Sequence, residues 1–198
     1  MVNKKFGRNE NSKATRKTLL IVCEGEKTEP AYFHSFQLAK IIDVKGLGKN
    51  TVSLVEHAIA ENKRYNYDEV WCVFDRDSFS KTQVTCAHAL IQANKFKAAY
   101  SDESFELWYL LHFCYTDAQI TRAQYCTILS THLEFNYQKN DPRMYDLLLE
   151  KQPVAIKNAK KLEALHPLVP GKECASKPIT SVYRLVERLN RLKKKYKI

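Results

Sequence analysis

Thr18-Leu19-Leu20-Ile21-Val22-Cys23-Glu24-Gly25 is the stretch that decides the fold. Leu19 to Cys23 run apolar without a break, whereas a strand with one wet face alternates apolar and polar residues. A continuous run of this length predicts a strand covered on both faces, as in a parallel sheet. It stops at Glu24, and Gly25 permits a sharp turn that a residue with a Cβ would resist. A helix is expected next, with Thr28 and Glu29 at its start and Pro30 in the first turn, where a missing N–H costs little. Tyr32, Phe33 and Phe36 form its apolar face.

Outward from this unit the same grammar repeats. Ile41 to Val44 reads as a second strand, and Gly46 and Gly48 mark a loop. Asn50 or Thr51 caps a helix whose Val52, Val55, Ala58 and Ile59 share one side. Glu69 to Phe74 is a third buried strand, ending at Asp75-Arg76-Asp77. Thr82 to Ala93 is helical, with Val84, Ala87, Leu90 and Ile91 inward, and Phe96 to Tyr100 is a fourth strand. Strand and helix alternating in this way predict an α/β fold: a four-stranded, mainly parallel sheet flanked by helices, with right-handed crossovers.

Beyond Ser101 the pattern turns helical, over Phe105 to Phe113, Thr121 to Leu133, Asp141 to Gln152, Val154 to Leu165 and Ile179 to Tyr196. Pro153 and the stretch from Pro167 to Gly171 are expected to break it. No internal repeat is present. Three parts follow: a loose basic arm over 1–17, a core over 18–115, and a helical C-terminal part over 116–198 packed on or beside that core. The arm lacks a periodic apolar face, so nothing in its sequence holds it down; disorder is the default and nucleic-acid contact the alternative.

The chain of 198 residues is 44% hydrophobic, enough for a true core. Lys and Arg number 32 against 22 Asp and Glu, a formal charge of +10. Such an excess favours a polyanionic partner, because cations that neutralise phosphates release condensed counterions. A basic protein with no such partner is the plain alternative. The last helix carries Arg184, Arg188, Arg191, Lys193, Lys194, Lys195 and Lys197 outside an inner face of Val182, Leu185, Val186, Leu189 and Leu192. Those cations also suit the negative end of a helix and need not touch nucleic acid. The six cysteines form no C-x-x-C pair, which argues for buried thiols in a reducing cytoplasm rather than a zinc site. No apolar run approaches the ~20 residues of a membrane span, and the N-terminal stretch lacks the apolar segment of a signal peptide.

In a parallel sheet, ligands gather beyond the carboxyl ends of the strands. Here the first strand ends in Glu24 and the third in Asp75 and Asp77, two acids two positions apart that project to one side with Arg76 turned away. Glu29, at the start of the following helix, reaches the same space. Four carboxylates together repel unless a cation joins them, and a hard divalent ion with oxygen ligands, magnesium above all, answers that need. Such an ion polarises a phosphoryl oxygen and steadies a leaving oxyanion. A lone D-x-D is a weak signal; paired with an acid ending the first strand it is stronger. The competing reading has Glu24 and Glu29 capping a helix and Asp75 capping a turn, with no metal.

The segments LLIVCEGEKTEPAYF (19–33 with Thr18 before them), YDEVWCVFDRDSF, SDESFELWYLLHF and SVYRLVERL, in this order, resemble the RloB-like family. The resemblance covers roughly Thr18 to the C-terminus. It implies a Toprim fold, the compact parallel α/β domain of topoisomerases, primases and overcoming-lysogenization-defect nucleases, in a prokaryotic group often encoded beside an ATPase and associated with phage defence. It implies that Glu24 serves as general acid/base or metal ligand, that Asp75 and Asp77 hold magnesium, with manganese as the other candidate ion, and that Glu29 is the additional acid of the nuclease branch. Glu106, in Phe105-Glu106-Leu107-Trp108, is a carboxylate in an apolar helix start, costly unless paired or bound to a cation. It reads as a supporting or second-metal ligand, or else as a helix acid favouring the dipole. Ser101 and Ser104 are weaker candidates; the family's Ser-Asn-Pro is Ser101-Asp102-Glu103-Ser104 here, so the local loop departs from the pattern. Lys139 resembles a Tyr-x-Lys element and would stabilise a charged transition state or protonate a leaving oxygen; a solvated lysine is the plain reading. None of the six histidines is singled out, and His112 reads as a core residue.

The expected function is therefore a magnesium-dependent nuclease acting on DNA or RNA, tRNA included, in the cytoplasm, under the control of an ATPase of the ABC or AAA type. The chain carries no G-x-x-x-x-G-K-[ST] motif of its own, in keeping with a separate ATPase subunit. The alternatives are a non-catalytic Toprim module that grips nucleic acid or a partner, and a phosphatase or nucleotidyl-transfer enzyme using the same acids. Homo-oligomerisation is open, and no membrane association is expected.

Overall fold

The computed structural model describes residues 17–48, 50–76, 81–166 and 178–198. The elements run β1 (Leu19–Cys23), α1 (Thr28–His34), β2 (Ile42–Gly46), α2 (Thr51–Tyr65), β3 (Glu69–Asp75), α3 (Lys81–Ala93) and β4 (Lys97–Asp102). They continue with α4 (Glu106–Leu110), α5 (Arg122–Leu133), α6 (Met144–Leu149), α7 (Gln152–Leu165), β5 (Ile179–Thr180) and α8 (Val182–Tyr196). The sheet order is β2-β1-β3-β4-β5, with the first four strands parallel and β5 antiparallel to β4. The expected four strands are thus five. Ile179 and Thr180, read from sequence as the start of the last helix, instead pair with Asp102 and Ser101. The buried Ser101 and Thr180 hydroxyls meet at 3.0 Å, which spends Ser101 on the sheet edge.

All five residues of β1 are buried, and their alternation feeds two separate cores. Leu20 and Val22 point into a layer with Leu54, Val55 and Ala58 of α2 and Val84, Ala87 and Ile91 of α3. Leu19, Ile21 and Cys23 face the larger layer, where Phe33, Trp108, Tyr125, Leu148, Leu162, Leu185 and Leu189 collect. That is the physical reason the run is unbroken: neither face has water to meet. The second layer draws on residues from 19 to 192, so the C-terminal helices close the sheet's other face.

Local signals account for the starts of α2 and α5. The Asn50 side chain accepts from the Ser53 N–H at 3.0 Å and starts α2, and Thr121 and Gln124 form a reciprocal capping box at α5. Two expectations shift. Pro153 does not separate two helices but sits in the first turn of α7, where its ring is tolerated. The helix expected from Asp141 starts only at Met144, because Asp141 is drawn into a turn by Arg143. The α8 inner face is as expected, with Val182, Leu185, Val186, Leu189 and Leu192 buried. Of its cations, Arg184 pairs with Glu163 and Arg188 with Glu69, so those two serve the fold.

The basic arm lies outside the described residues except for Lys17. Its ammonium donates to the Ile42 carbonyl at 3.1 Å and pairs with Asp43 at 2.9 Å. The stretch from Pro167 to Gly171 and Cys174 also lie outside them. Among the described cysteines Cys23 and Cys72 are buried, Cys114 and Cys126 half-buried, and Cys86 exposed. No helix among the described residues is long and apolar enough to cross a membrane.

Candidate functional site

β1 and β3 are hydrogen-bonded neighbours, with Cys23 opposite Val73. The pairing continues one step past the strand end, where the Glu24 N–H donates to the Val73 carbonyl at 2.9 Å. Register alone therefore carries Glu24 to the end of β3. Its Oε2 accepts the Asp75 backbone N–H at 3.2 Å, joining residues 51 positions apart. Strand order turns back beside β1, with β2 on one side and β3 on the other, which is where crevices form at the carboxyl edge of a parallel sheet.

Glu29 enters from α1 and is 6% exposed. Its carboxylate lies against Gly25, where a Cβ would stand 2.0 Å from Glu29 Oε2. Gly25 is thus required for this close approach. Its φ is not in the left-handed region, so the turn itself does not demand glycine, contrary to the sequence expectation. Glu29 Oε2 is buried with no hydrogen-bond partner. Burial raises the Glu29 pKa above its ordinary value, and the charge of Glu106 adds to this, against the lowering effects of its own backbone N–H, Lys139 and Arg122.

Asp75, the last residue of β3, is buried and its pKa stands well above the usual carboxylate range. Burial is the main cause, followed by the charges of Glu29, Glu106 and Glu24, with Arg122 acting the other way. Arg76 is turned off the cluster onto the fully buried Asp102. Glu106, the first residue of α4, is 2% exposed; the Tyr137 hydroxyl donates to its Oε1 at 3.3 Å. Lys139 and Asn140 stand beside Glu29 in a cleft of about 330 Å³ that is also lined by Gly25, Glu26, Lys27 and Thr28.

The structure thus brings Glu24, Glu29 and Asp75 together, with Glu106 and Lys139 beside them; Asp77 lies outside the described residues. The capping alternative holds in part: the N-cap of α1 is Lys27, with no side-chain cap bond, while Glu29 lies in the first turn of that helix. Asp75 Oδ2 accepts from Arg122 at 3.0 Å. Ser101 stands opposite Asp75 in the β3–β4 pairing, with its hydroxyl spent on Thr180, and Ser104 is buried. Histidine has no part in the cluster. His112 is buried, its Nδ1 2.9 Å from the Trp108 carbonyl, and burial pushes its pKa down to about 4.

Two residues of the site are not among those singled out from the sequence. Arg122 opens α5 and spans two acids, bonding Asp75 and lying 3.6 Å through Nε from Glu106 Oε2. Tyr137 holds Glu106 from the loop after α5. An arginine at the first residue of a helix opposes the helix dipole, and that misplacement was the available clue. Among the described residues no three His, Cys, Asp or Glu side chains meet as a group able to hold a metal ion, and a guanidinium stands between two of the acids.

Fold and cluster define the class: an α/β protein that collects four carboxylates at the carboxyl edge of its parallel strands. Within that class the chain belongs to the RloB-like protein family, whose family model matches residues 19–189. Comparison with curated proteins and with solved structures found no significant match.

Proposed function

We propose that this protein is a divalent-metal-dependent nuclease of the Toprim type, acting on DNA or RNA. The observation that carries the reading is the buried Glu29 Oε2, an acceptor without a donor inside a group of acids. Such an atom in a native protein calls for an explanation, and a cation is one that suits a group of acids. The glycine cradle that lets Glu29 lie against the backbone is the second sign that the residues fit such an ion.

Magnesium, or manganese in its place, would supply Lewis acidity toward the phosphoryl oxygen and acidify a bound water. Glu24, Glu29 and Asp75, with Asp77, would hold it. Glu29, its basicity raised by burial, would also take the proton of the attacking water as the new P–O bond forms. Lys139, beside Glu29 in the cleft, would give a proton to the leaving oxygen as the old P–O bond breaks. The excess of cations over the whole chain would draw in the substrate backbone. A place in phage defence, in the cytoplasm and under an ATPase partner, is part of the same proposal and rests on family membership.

A second reading has support of its own: a Toprim scaffold that binds nucleic acid or a partner without cutting. The Arg122 bridge to Asp75 favours it, because an acid already paired with arginine is not an available ligand. One experiment separates the two. Incubate the protein, with and without its neighbouring ATPase, with DNA, tRNA and magnesium, alongside Glu24→Ala and Asp75→Asn. Cutting that needs the metal and is lost in both variants supports the nuclease. Binding without cutting under every condition supports the scaffold.

A further inference from the structure

Arg122 stands where a cation brings its own helix no advantage. It is the first residue of α5, where a cation opposes the dipole. The helix start is already satisfied by the Thr121–Gln124 capping box, so the side chain does no capping. Its own N–H donates to Glu103 at 3.3 Å, which fixes the backbone and leaves the guanidinium to the acids. That group reaches Asp75 Oδ2 at 3.0 Å but approaches Glu106 Oε2 only at 3.6 Å, beyond a good hydrogen bond. Its side chain is 33% exposed, while Asp75 and Glu106 are 10% and 2% exposed. The guanidinium end of the bridge is therefore partly in water and the two acids are buried. Glu106 has the Tyr137 hydroxyl as a second partner.

We propose that Arg122 is the built-in counter-cation of the acid cluster, holding Asp75 in the ion-free protein, competing there with a divalent cation, and pairing with a phosphodiester oxygen once released. The inference rests on the reading of the cluster as a divalent-ion site. A guanidinium suits both partners, since its planar fork matches carboxylate and phosphate alike, whereas lysine offers a single point charge. The arrangement keeps two buried acids from facing each other uncompensated before the ion arrives. It also stores, at the site, the cation that a phosphate needs afterwards.

The test reads ion binding, with no activity assay. Manganese is titrated calorimetrically into the wild type, Arg122→Gln, Arg122→Lys and Asp75→Asn, with thermal shifts in parallel. A competitor removed should tighten manganese binding about 5-fold or more in R122Q, the low end of ordinary coupling, with R122K in between. The ion-free R122Q protein should melt below the wild type. With calcium in place of manganese, R122Q should bind a single-stranded oligonucleotide about 10-fold more weakly, as for loss of one bidentate contact. Equal or weaker manganese binding in R122Q overturns the competition, and unchanged oligonucleotide affinity overturns the phosphate role. If D75N abolishes manganese binding while R122Q does not tighten it, this inference falls and the metal site stands. If the wild type shows no manganese binding that D75N removes, both fall. Should R122Q fail to fold, R122K decides by the same two readouts.

Discussion

Replacing Glu29 with glutamine should make the ion-free protein more stable while removing its response to metal. The argument starts from a carboxylate 6% exposed, with one oxygen lacking a donor and with acidic neighbours that raise each other's pKa. A buried acceptor left unsatisfied costs about 1–3 kcal/mol, more if charged, and glutamine keeps the shape without the charge. We expect a gain of about 1–2 kcal/mol, or about 2–8 °C in Tm for a chain of this size. The sign of the pH dependence is fixed. Burial raises the folded-state pKa of Glu29, so its contribution is fully present below the ordinary 4.5 and is lost as pH rises through the folded value. The advantage of E29Q should therefore be largest near pH 8 and shrink toward pH 4.5. The assay is calorimetric melting across that range in chelator, then with magnesium or manganese. Metal should raise the Tm of the wild type and leave E29Q nearly unmoved. An E29Q protein no more stable than wild type near pH 8, or a gain that does not vary with pH, would refute the reasoning.

Two further outcomes follow from the same geometry. Gly25→Ala places a Cβ 2.0 Å from Glu29 Oε2, so the carboxylate must move; the variant should lose about 1–3 kcal/mol and most of the metal-induced rise in Tm, by calorimetry. His112 is held neutral, its pKa driven by burial from 6.5 to about 4, so its stabilisation is complete above 6.5 and is lost as pH falls toward 4. That window corresponds to roughly 3 kcal/mol, and His112→Phe should flatten the stability curve between those pH values in urea titrations; an unchanged slope would remove His112 as the cause.

The sequence by itself determined the layered α/β architecture, because unbroken apolar strands such as Leu19 to Cys23 and Val70 to Phe74 have only one stable home, between two layers of helices. It also determined where the acids fall, since Glu24 and Asp75 end strands that the crossover rule makes parallel, and parallel strands deliver their carboxyl ends to one edge. It did not contain β5, whose two residues are too few for any period and are a strand only because the β4 edge offers partners. Nor did it contain Arg122 and Tyr137. The Asp75–Arg122 bond crosses 47 positions and the Tyr137–Glu106 bond 31, and each depends on where α5 and its following loop pack against α4. Periodicity records which face of an element is apolar; it does not record which charge on a neighbouring element that face will meet. The tertiary structure therefore decided what surrounds the acids, and a buried carboxylate takes its chemistry from its surroundings, since burial and neighbouring charge set whether it holds a proton, an arginine or an ion.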